Sequence, residues 1–347
     1  MVMSRHWRID KHRLVVAVVV MVCTGAACLS AQSTPSPALL VLSKAERTVS
    51  IVDPGTLKVV ARMPSGPDPH EIVASPDGRL AYISNYGGVA GLYNTISVVD
   101  LVDQKALAPI DLGVLRGPHG LDVAGGKVWF TAETNKVIGS FDPASKKVDW
   151  VLGTGQNRTH MIFVFDDLKR IITSNVSSAT MTVIDRVTRQ SPSGQTQEDW
   201  DETVIAVGRG AEGFDVSPDR KEIWAANAQD GTISILDVAA KKVIDTLAAN
   251  VRSANRLKFT PDGSQVFVST LGGADLVVLD AKTRREVKRV KIGRGAAGIQ
   301  MQPDGSRAYV SCTPDDYVVV VDLKTLEVAG RIDAGKQPDG LAWAVRR

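Results

Sequence analysis

Short apolar runs, each closed by an aspartate, recur along the chain between residues 50 and 322. They read SIVD, SVVD, GSFD, TVID, SILD, VVLD and VVVD, and they end at Asp53, Asp100, Asp142, Asp185, Asp237, Asp280 and Asp322. Successive aspartates are 47, 42, 43, 52, 43 and 42 residues apart. Seven copies at a nearly constant period indicate a repeat architecture in which each copy is one supersecondary unit.

Each repeat has the pattern of four short strands. In residues 296–333 the apolar stretches are AAGIQMQ, SRAYVSC, YVVVVDL and LEVAGRI, and a Pro-Asp-Gly turn, a loop and a second turn separate them. Proline early in a turn and glycine at its end suit a type I turn. β-Branched residues in partial alternation suit strands. Four antiparallel strands in about 40 residues are typical of a β-propeller blade.

The two ends of the repeat region complete one another. The first unit, residues 38–66, has three strands and lacks the opening strand of the others, whereas the chain ends in PDGLAWAV at residues 338–345. Pairing of this C-terminal strand with the N-terminal blade would close the ring and remove free sheet edges. The predicted fold is therefore all-β, a seven-bladed β-propeller over residues 38–347 closed in this way.

The residues before the repeats predict an exported protein. Four basic residues precede the apolar run LVVAVVVMV at 14–22, and small residues follow it up to Ala31. This order is typical of a secretory signal peptide, here residues 1–31, and residues 32–37 then form a flexible leader. Lipidation at Cys28 is the alternative. The apolar run is short for a membrane span, so we expect a periplasmic or secreted protein with no span after cleavage.

Removal of the leader changes the charge. Residues 1–31 hold four of the 41 basic and one of the 38 acidic residues, so the rest of the chain carries 37 of each. A net charge of zero gives no reason to expect nucleic-acid binding. Cys312 is the one cysteine after residue 31, which excludes an internal disulfide in the mature chain and favours a buried structural thiol. We expect a monomer.

The repeats resemble a known family. The stretches SPDGRLAYISN (75–85), SPDRKEIWAAN (217–227) and QPDGSRAYVSC (302–312) are similar to the YVTN-type β-propeller repeat, whose wider group includes lactonase-like and surface-layer propellers. Pro118-His119-Gly120 also resembles the Pro-His-Gly motif of virginiamycin-lyase-like propellers, in which His and Glu hold a divalent ion. The resemblance implies the propeller fold, and it leaves binding, scaffolding and catalysis open as functions.

One position of the repeat carries candidate chemistry. Aligned on their turns, the seven units place His70, His119, His160, Glu212, Asn255, Ala297 and Asp339 at the start of the innermost strand. All three histidines after residue 31 fall at this position, in consecutive blades, and Glu212 follows in the next blade. Imidazoles with a carboxylate suit a divalent metal ion, with Glu133 as a further ligand or general base. The alternative is a structural, water-filled channel.

A second position, three residues earlier, is basic in five blades. It holds Arg116, Arg209, Arg252, Arg294 and Lys336, which we term the collar. A ring of cations at the channel mouth would attract carboxylate or phosphate groups, although the arginines could instead pair with nearby carboxylates. Further candidates for ligand binding on the same face are Asn85, Asn175, Asn227 and Tyr93, the last in a glycine-rich insertion.

The sequence thus predicts an extracytoplasmic binding or scaffold protein that takes a small anionic ligand or a protein partner at the mouth of its channel. No Walker loop, Gly-x-Ser-x-Gly elbow, HExxH motif or Cys-x-x-Cys-His heme motif is present. The alternative is a metal-dependent lyase or lactonase with His70, His119, His160 and Glu212 around the ion. A divalent metal is accordingly the one cofactor that the sequence suggests.

Overall fold

The computed structural model describes residues 32–88 and 91–346, and in this part of the chain 28 β-strands form seven four-stranded antiparallel sheets. Two short 3-10 turns lie at Glu133–Asn135 and Thr313–Asp315. The predicted seven-bladed propeller is confirmed. None of the helical segments in these residues has the length and apolarity to cross a membrane. The predicted signal peptide, residues 1–31, lies outside the described residues.

The blades follow one another along the chain, except that blade 1 begins with the last strand. Blade 1 contains β28 (Pro338–Ala344), β1 (Ala38–Ser43), β2 (Thr48–Asp53) and β3 (Lys58–Pro64). Blade 2 contains β4 (Pro69–Ala74), β5 (Leu80–Gly88), β6 (Gly91–Asp100) and β7 (Lys105–Asp111). Blade 3 contains β8 (Pro118–Ala124), β9 (Lys127–Ala132), β10 (Val137–Asp142) and β11 (Lys147–Gly153).

The other four blades repeat this order. Blade 4 contains β12 (Thr159–Val164), β13 (Arg170–Asn175), β14 (Thr180–Gln190) and β15 (Thr196–Ala206). Blade 5 contains β16 (Ala211–Val216), β17 (Glu222–Asn227), β18 (Thr232–Asp237) and β19 (Lys242–Leu247). Blade 6 contains β20 (Ala254–Phe259), β21 (Gln265–Thr270), β22 (Asp275–Asp280) and β23 (Glu286–Lys291), and blade 7 contains β24 (Ala296–Met301), β25 (Arg307–Cys312), β26 (Tyr317–Asp322) and β27 (Glu327–Ile332).

The C-terminal strand closes the ring. β28 pairs antiparallel with β1, with Leu40 opposite Ala342 and Leu39 opposite Trp343. The first strands of all seven blades contact their neighbours in a complete circle. The predicted closure is therefore confirmed. Residues 32–37, predicted to be a flexible leader, contact blade 2 and the C-terminus: Thr34 is buried and donates to the carbonyl of Leu101, and Ser36 contacts the backbone of Arg346.

The repeated aspartates hold the outer turns. Asp53, at the end of β2, accepts hydrogen bonds from the backbone N–H of Gly55 at 2.9 Å and the hydroxyl of Thr56 at 2.8 Å. Asp322, at the end of β26, accepts from the backbone N–H of Thr325 at 2.8 Å. An aspartate that caps a turn in this way replaces the missing backbone acceptors. This local requirement explains the aspartate in six of the repeats, whereas Asp185 of blade 4 lies within β14 and pairs with Arg170 and Lys241 instead.

The hydrophobic core lies between blades. One cluster joins Val41 and Leu341 of blade 1 to Tyr309 and Val320 of blade 7, all of them buried. The other clusters likewise contain residues of adjacent blades, such as Phe130 of blade 3 with Tyr82 of blade 2. Because each sheet buries apolar residues against both neighbours, no blade has an apolar core of its own.

Adjacent blades approach most closely at the inner strands. The hydroxyl of Thr131 in blade 3 donates to the carbonyl of His160 in blade 4 at 2.9 Å, and Ser311 in blade 7 binds the carbonyl of Asp339 in blade 1 at 2.7 Å. Glycine follows the inner-strand position in four blades because a Cβ there would meet this same backbone: at Gly120 it would lie 2.5 Å from the carbonyl oxygen of His160. Glycine and hydroxyl together set the spacing between blades.

We predict that Gly120→Ala destabilises the protein by about 1–3 kcal/mol, because the added methyl group overpacks the contact between blades 3 and 4. Gly153→Ala is the matched control, since a Cβ at Gly153 meets nothing within 4 Å. Denaturant unfolding of both variants measures the free energy of unfolding. Equal stability of the two variants would show that the close approach at Gly120 does not limit the blade spacing.

Candidate functional site

Seven side chains at one repeat position surround the central channel. Each inner strand has a register shift against the second strand at this position, for instance between Pro118 and Leu121 in blade 3. The bulge turns the intervening side chain towards the propeller axis. A central cavity of about 410 Å³ is the result. Its wall contains His70, His119, His160, Glu212, Asn255, Ala297 and Asp339, together with Lys44, Tyr86, Arg158, Arg256, Leu271, Thr313, Pro314 and Gln337.

His160 is a buried cation between two carboxylates. Its Nδ1 lies 2.5 Å from Oε1 of Glu133, and its Nε2 lies 2.9 Å from Oε1 of Glu212, although the N–H at Nε2 is not aimed at that oxygen. Burial lowers the pKa of His160, but Glu212 and Glu133 outweigh it and raise the pKa above 6.5. Burial in turn raises the pKa of Glu212, and His160 with Arg158 brings it down to about 2.

His119 is neutral, in contrast to His160. Its ring lies 3.7 Å from the ring of His160, and its Nδ1 is buried with no hydrogen-bond partner among the described residues. Burial, and then the charge of His160, holds the pKa of His119 well below 6.5. His119 therefore offers the cavity wall a neutral imidazole with unsatisfied hydrogen-bonding capacity.

His70 and Tyr86 complete the aromatic part of the wall. The ring of His70 lies 5.1 Å from that of His119, and Tyr86 packs against both at 4.9 and 5.1 Å. Burial lowers the pKa of His70, and its Nε2 accepts from Nζ of Lys44 at 2.7 Å. The Tyr86 hydroxyl donates to Oε2 of Glu133 at 2.6 Å, and burial raises the pKa of Tyr86. Glu133 thus joins Tyr86 to His160.

Arg158 occupies a strained backbone position. Two residues before the inner-strand position, all seven blades have a left-handed φ: Asp68, Gly117, Arg158, Gly210, Ser253, Gly295 and Gln337. A side chain other than glycine there costs roughly 1–2 kcal/mol. At φ 56° Arg158 holds its guanidinium 3.7 Å from both Glu133 and Glu212, with 41% of the side chain exposed. An arginine in this conformation presents a loosely paired cation to the cavity.

A buried ion pair crosses the channel. Arg256 of blade 6 binds Oε1 of Glu71 in blade 2, and the two side chains are only 13% and 16% exposed. Burial lowers the pKa of Arg256, and Glu71 followed by Glu212 and Asp339 raises it on balance, so the guanidinium stays charged. Lys44 is the third cation of the wall and lies 3.3 Å from Asp339.

The collar residues lie outside the central cavity. Arg209 binds Asp230 at 2.8 Å, and Arg294 binds Asp315 at 2.7 Å, so two arginines pair with carboxylates of their own blades. A guanidinium N–H of Arg116 contacts the carbonyl of Leu92 at 3.3 Å, and Lys336 accepts from Ser43 through its backbone carbonyl. Arg252 lines a neighbouring cavity.

The three predicted asparagines hold strands together. Asn85, Asn175 and Asn227 are buried, and each amide donates to two hydroxyls of the third strand, such as Thr95 and Ser97 for Asn85 at 2.8 and 2.9 Å. These contacts give the asparagines a structural role at the end of the second strand.

The predicted Tyr93 does not line the central cavity. Its carbonyl accepts a hydrogen bond from the backbone N–H of Gly117, and the tyrosine on the cavity wall is Tyr86. Cys312 is buried as predicted, and burial raises the pKa of its thiol to about 12.

The histidines and Glu212 come together without forming a metal-ligand set. Among residues 32–88 and 91–346, no group of three or more His, Cys, Asp or Glu side chains is placed to hold one ion. The physical reason is that His160 faces Glu133 and Glu212, His70 faces Lys44, and His119 stacks on His160.

The sequence analysis missed several charged residues in and next to the cavity wall. Glu71 and Arg256 directly follow the inner-strand position, where four blades have glycine. Two residues of opposite charge at a position that is glycine in four blades could have predicted an ion pair. Their contact joins residues 185 apart and depends on which blades face each other across the channel. Arg158 lies at the left-handed repeat position, where the other blades have glycine, aspartate, serine or glutamine, so its residue type gave no comparable signal.

The fold and the cavity define the class, a seven-bladed β-propeller with a polar, ligand-sized central cavity. The family model for the cytochrome D1 heme domain matches residues 127–300, half of the chain. The chain belongs to this family. No curated protein matches the sequence.

Solved structures share the fold at low sequence identity. A candidate 6-phosphogluconolactonase from Bacteroides uniformis has 14% identity and a TM-score of 0.69, over 89% of this chain and 99% of that one. Hydrazine synthase from Kuenenia stuttgartiensis has 18% identity and a TM-score of 0.63, over 79% and 89%. The dihydro-heme d1 dehydrogenase NirN in complex with DHE has 17% identity and a TM-score of 0.62, over 89% and 75%. These structures thus share the predicted seven-bladed propeller fold.

We predict that Glu71→Gln costs about 3–5 kcal/mol of unfolding free energy, because it leaves the buried guanidinium of Arg256 without its partner. Chemical denaturation measures this loss. The double variant Glu71→Leu/Arg256→Met, which removes both charges, should recover most of it. A loss in the double variant as large as in Glu71→Gln would contradict an origin in the unpaired charge.

The histidines predict a pH dependence of stability. The folded-state pKa of His119 lies below 6.5. The contribution of His119 to the free energy of unfolding is therefore complete above pH 6.5 and is lost as the pH falls towards that lowered pKa. His160, with a raised pKa, contributes fully below pH 6.5 and loses its contribution as the pH rises through that raised pKa. Between pH 6.5 and about 5, the wild type should therefore lose more unfolding free energy than His119→Gln. Parallel curves for the two proteins would contradict the neutral state of His119.

Proposed function

We propose that the chain is a binding protein whose central cavity takes a small organic anion. The observation that carries the proposal is the distribution of charge around the cavity. Lys44, Arg158, Arg256 and the charged His160 lie on the wall with two carboxylates, Glu212 and Asp339. Asp68, Glu71 and Glu133 do not line the cavity, and each of them pairs with one of these cations.

The wall also offers hydrogen bonds suited to a carboxylate. Arg158 is the most exposed of the three fixed cations and is held only loosely, at 3.7 Å from Glu133 and Glu212. A guanidinium can move onto a ligand carboxylate and bind it through two parallel N–H bonds. His119 supplies a neutral ring with an unpartnered nitrogen, which an uncharged part of the ligand or an ordered water would satisfy. The volume of about 410 Å³ falls in the range of small-molecule sites.

The location of the protein is part of the proposal. The predicted signal peptide supports an extracytoplasmic protein. We place the binding function in the periplasm or outside the cell, where a small anion would be taken up from solution.

We predict that the protein binds at least one member of a series of linear carboxylic acids of roughly four to ten carbons, and that Arg158→Gln weakens this binding by about 10- to 150-fold, the effect of one charged hydrogen bond. Isothermal titration calorimetry measures the affinity. Arg158→Lys keeps the charge and should lose less. Arg209→Gln is the matched control, because this exposed arginine already pairs with Asp230. Absence of binding across the series would contradict the proposal.

A tetrapyrrole is the second candidate ligand, favoured by the family match and by the likeness to NirN in complex with DHE. The residues present fit such a group in their chemistry: a neutral His119 is in the state that ligates iron, and Arg158 and Lys44 could bind its carboxylates. The bound iron would supply redox chemistry. The protein's own residues would then hold the ligand's carboxylates and keep His119 neutral by burial.

Titration with ferric protoporphyrin IX tests this candidate. A shifted absorption band that saturates at an equimolar ratio, and that His119→Gln abolishes, is the expected result. An unchanged band, or the same shift with His119→Gln, would leave the tetrapyrrole reading without support. The metal-dependent lyase or lactonase has weaker support than either ligand, since no three such side chains of the described residues are placed to hold one ion and His160 already contacts Glu133 and Glu212.

A further inference from the structure

A second cavity of about 520 Å³ adjoins the central one. The two share the wall residues Arg158, Glu212, Asn255 and Leu271. The second cavity is further lined by Ala228, Gln229, Arg252, Ser253 and Ala254, at the mouth of the channel between blades 5 and 6. A ligand in the central cavity that extends past Arg158 would therefore enter the second cavity.

The loop between the second and third strands normally holds the collar residue of its own blade. In blade 5, Asp230 accepts from the backbone N–H and from the guanidinium of Arg209, at 2.7 and 2.8 Å. In blade 7, Asp315 accepts both from Arg294, at 2.7 Å each. In blades 3 and 4 the residues at the same loop position are Asn135 and Ser178. Each accepts a hydrogen bond from the backbone N–H of the residue at the collar position of its blade. A side-chain acceptor at this position is thus a repeated structural device.

Blade 6 lacks this acceptor. Its loop reads Leu271-Gly272-Gly273-Ala274, so that Gly273 stands where blade 5 has Asp230 and blade 7 has Asp315. Arg252 is exposed, and no side chain of the described residues forms a hydrogen bond or ion pair with it. Arg252 therefore has no carboxylate partner in its own blade. It lines the second cavity, where an anionic ligand could pair with it.

We propose that Arg252 binds a second anionic group of the ligand, so that the protein selects elongated ligands with two anionic ends. This inference rests on the proposed function, because the first anionic group is the one held in the central cavity. Arg158 lies on both walls, so the first anionic group, which it binds, lies where the two cavities join. Of the collar arginines that sequence analysis assigned to anion binding, Arg252 is the one that the structure provides with a cavity and without a carboxylate partner among the described residues.

The test compares α,ω-dicarboxylates with monocarboxylates of the same chain length, of roughly four to ten carbons, by isothermal titration calorimetry. For the best-fitting length, the wild type should bind the dicarboxylate at least about tenfold more tightly, because the second end adds a charged hydrogen bond. Arg252→Gln should abolish this preference and leave the monocarboxylate affinity unchanged. Arg209→Gln, at the equivalent position of blade 5, should retain the preference.

Gly273→Asp provides an independent variant. It restores the carboxylate of blades 5 and 7 and should pair with Arg252, so that the dicarboxylate preference falls as in Arg252→Gln. Gly273 has no left-handed φ, and the new Cβ would require only that the hydroxyl of Thr270, at 2.8 Å, rotates away. Gly273→Asp keeps Arg252 in place. A lost dicarboxylate preference in this variant would therefore result from pairing of Arg252 and not from removal of its side chain.

The outcomes separate the two proposals. Equal affinity for both acids in the wild type, or a preference that survives Arg252→Gln, overturns the role of Arg252 and leaves the central anion site standing. Binding of neither acid overturns the proposed function and the inference with it. A preference that Arg209→Gln removes equally would show general attraction by the collar, and would also overturn a specific role for Arg252.

Discussion

The structure depends on the contact between each inner strand and the next blade. A hydroxyl on the second strand of one blade binds the carbonyl at the bulge of the next, as Thr131 binds that of His160. Glycine beside the bulge lets the two backbones meet, as at Gly120. The same bulge turns the preceding side chain towards the axis. The interaction that spaces the blades is thus also the one that builds the cavity wall, so stability and the candidate site share their geometry.

The cavity interior is organised by charge pairing at low solvent exposure. Isolated charges could not remain ionised there, since removing a charge from water costs several kcal/mol without a partner. Arg256 stays charged because Glu71 reaches it from the opposite side of the channel, and His160 stays charged because two carboxylates flank it. His119, which has no such carboxylate, is neutral. The wall therefore combines fixed cations with a neutral imidazole.

Differences between otherwise equivalent blades mark the regions with functional potential. A repeat supplies the same scaffold seven times, so a residue that breaks its pattern has a reason outside the scaffold. Arg158 is the one arginine among the seven residues at the left-handed position, and Gly273 replaces the carboxylate that two blades use to neutralise their collar arginine. Arg158 lines both adjoining cavities, and Arg252, which Gly273 leaves without a carboxylate, lines the second. The arrangement favours one binding region that spans them.

Repetition made the fold predictable from the sequence alone. Seven aspartate-terminated strands, their period and the missing first strand determined the blade count and the closure, because each is a local pattern that the repeat copies. The sequence also showed that His70, His119 and His160 share one position of the repeat. Tertiary structure decided how those side chains are paired. Which blade faces which across the channel fixes the bond between Glu71 and Arg256, and burial fixes the charge states of His119 and His160. These properties arise from distances between residues far apart in the chain, which periodicity does not encode.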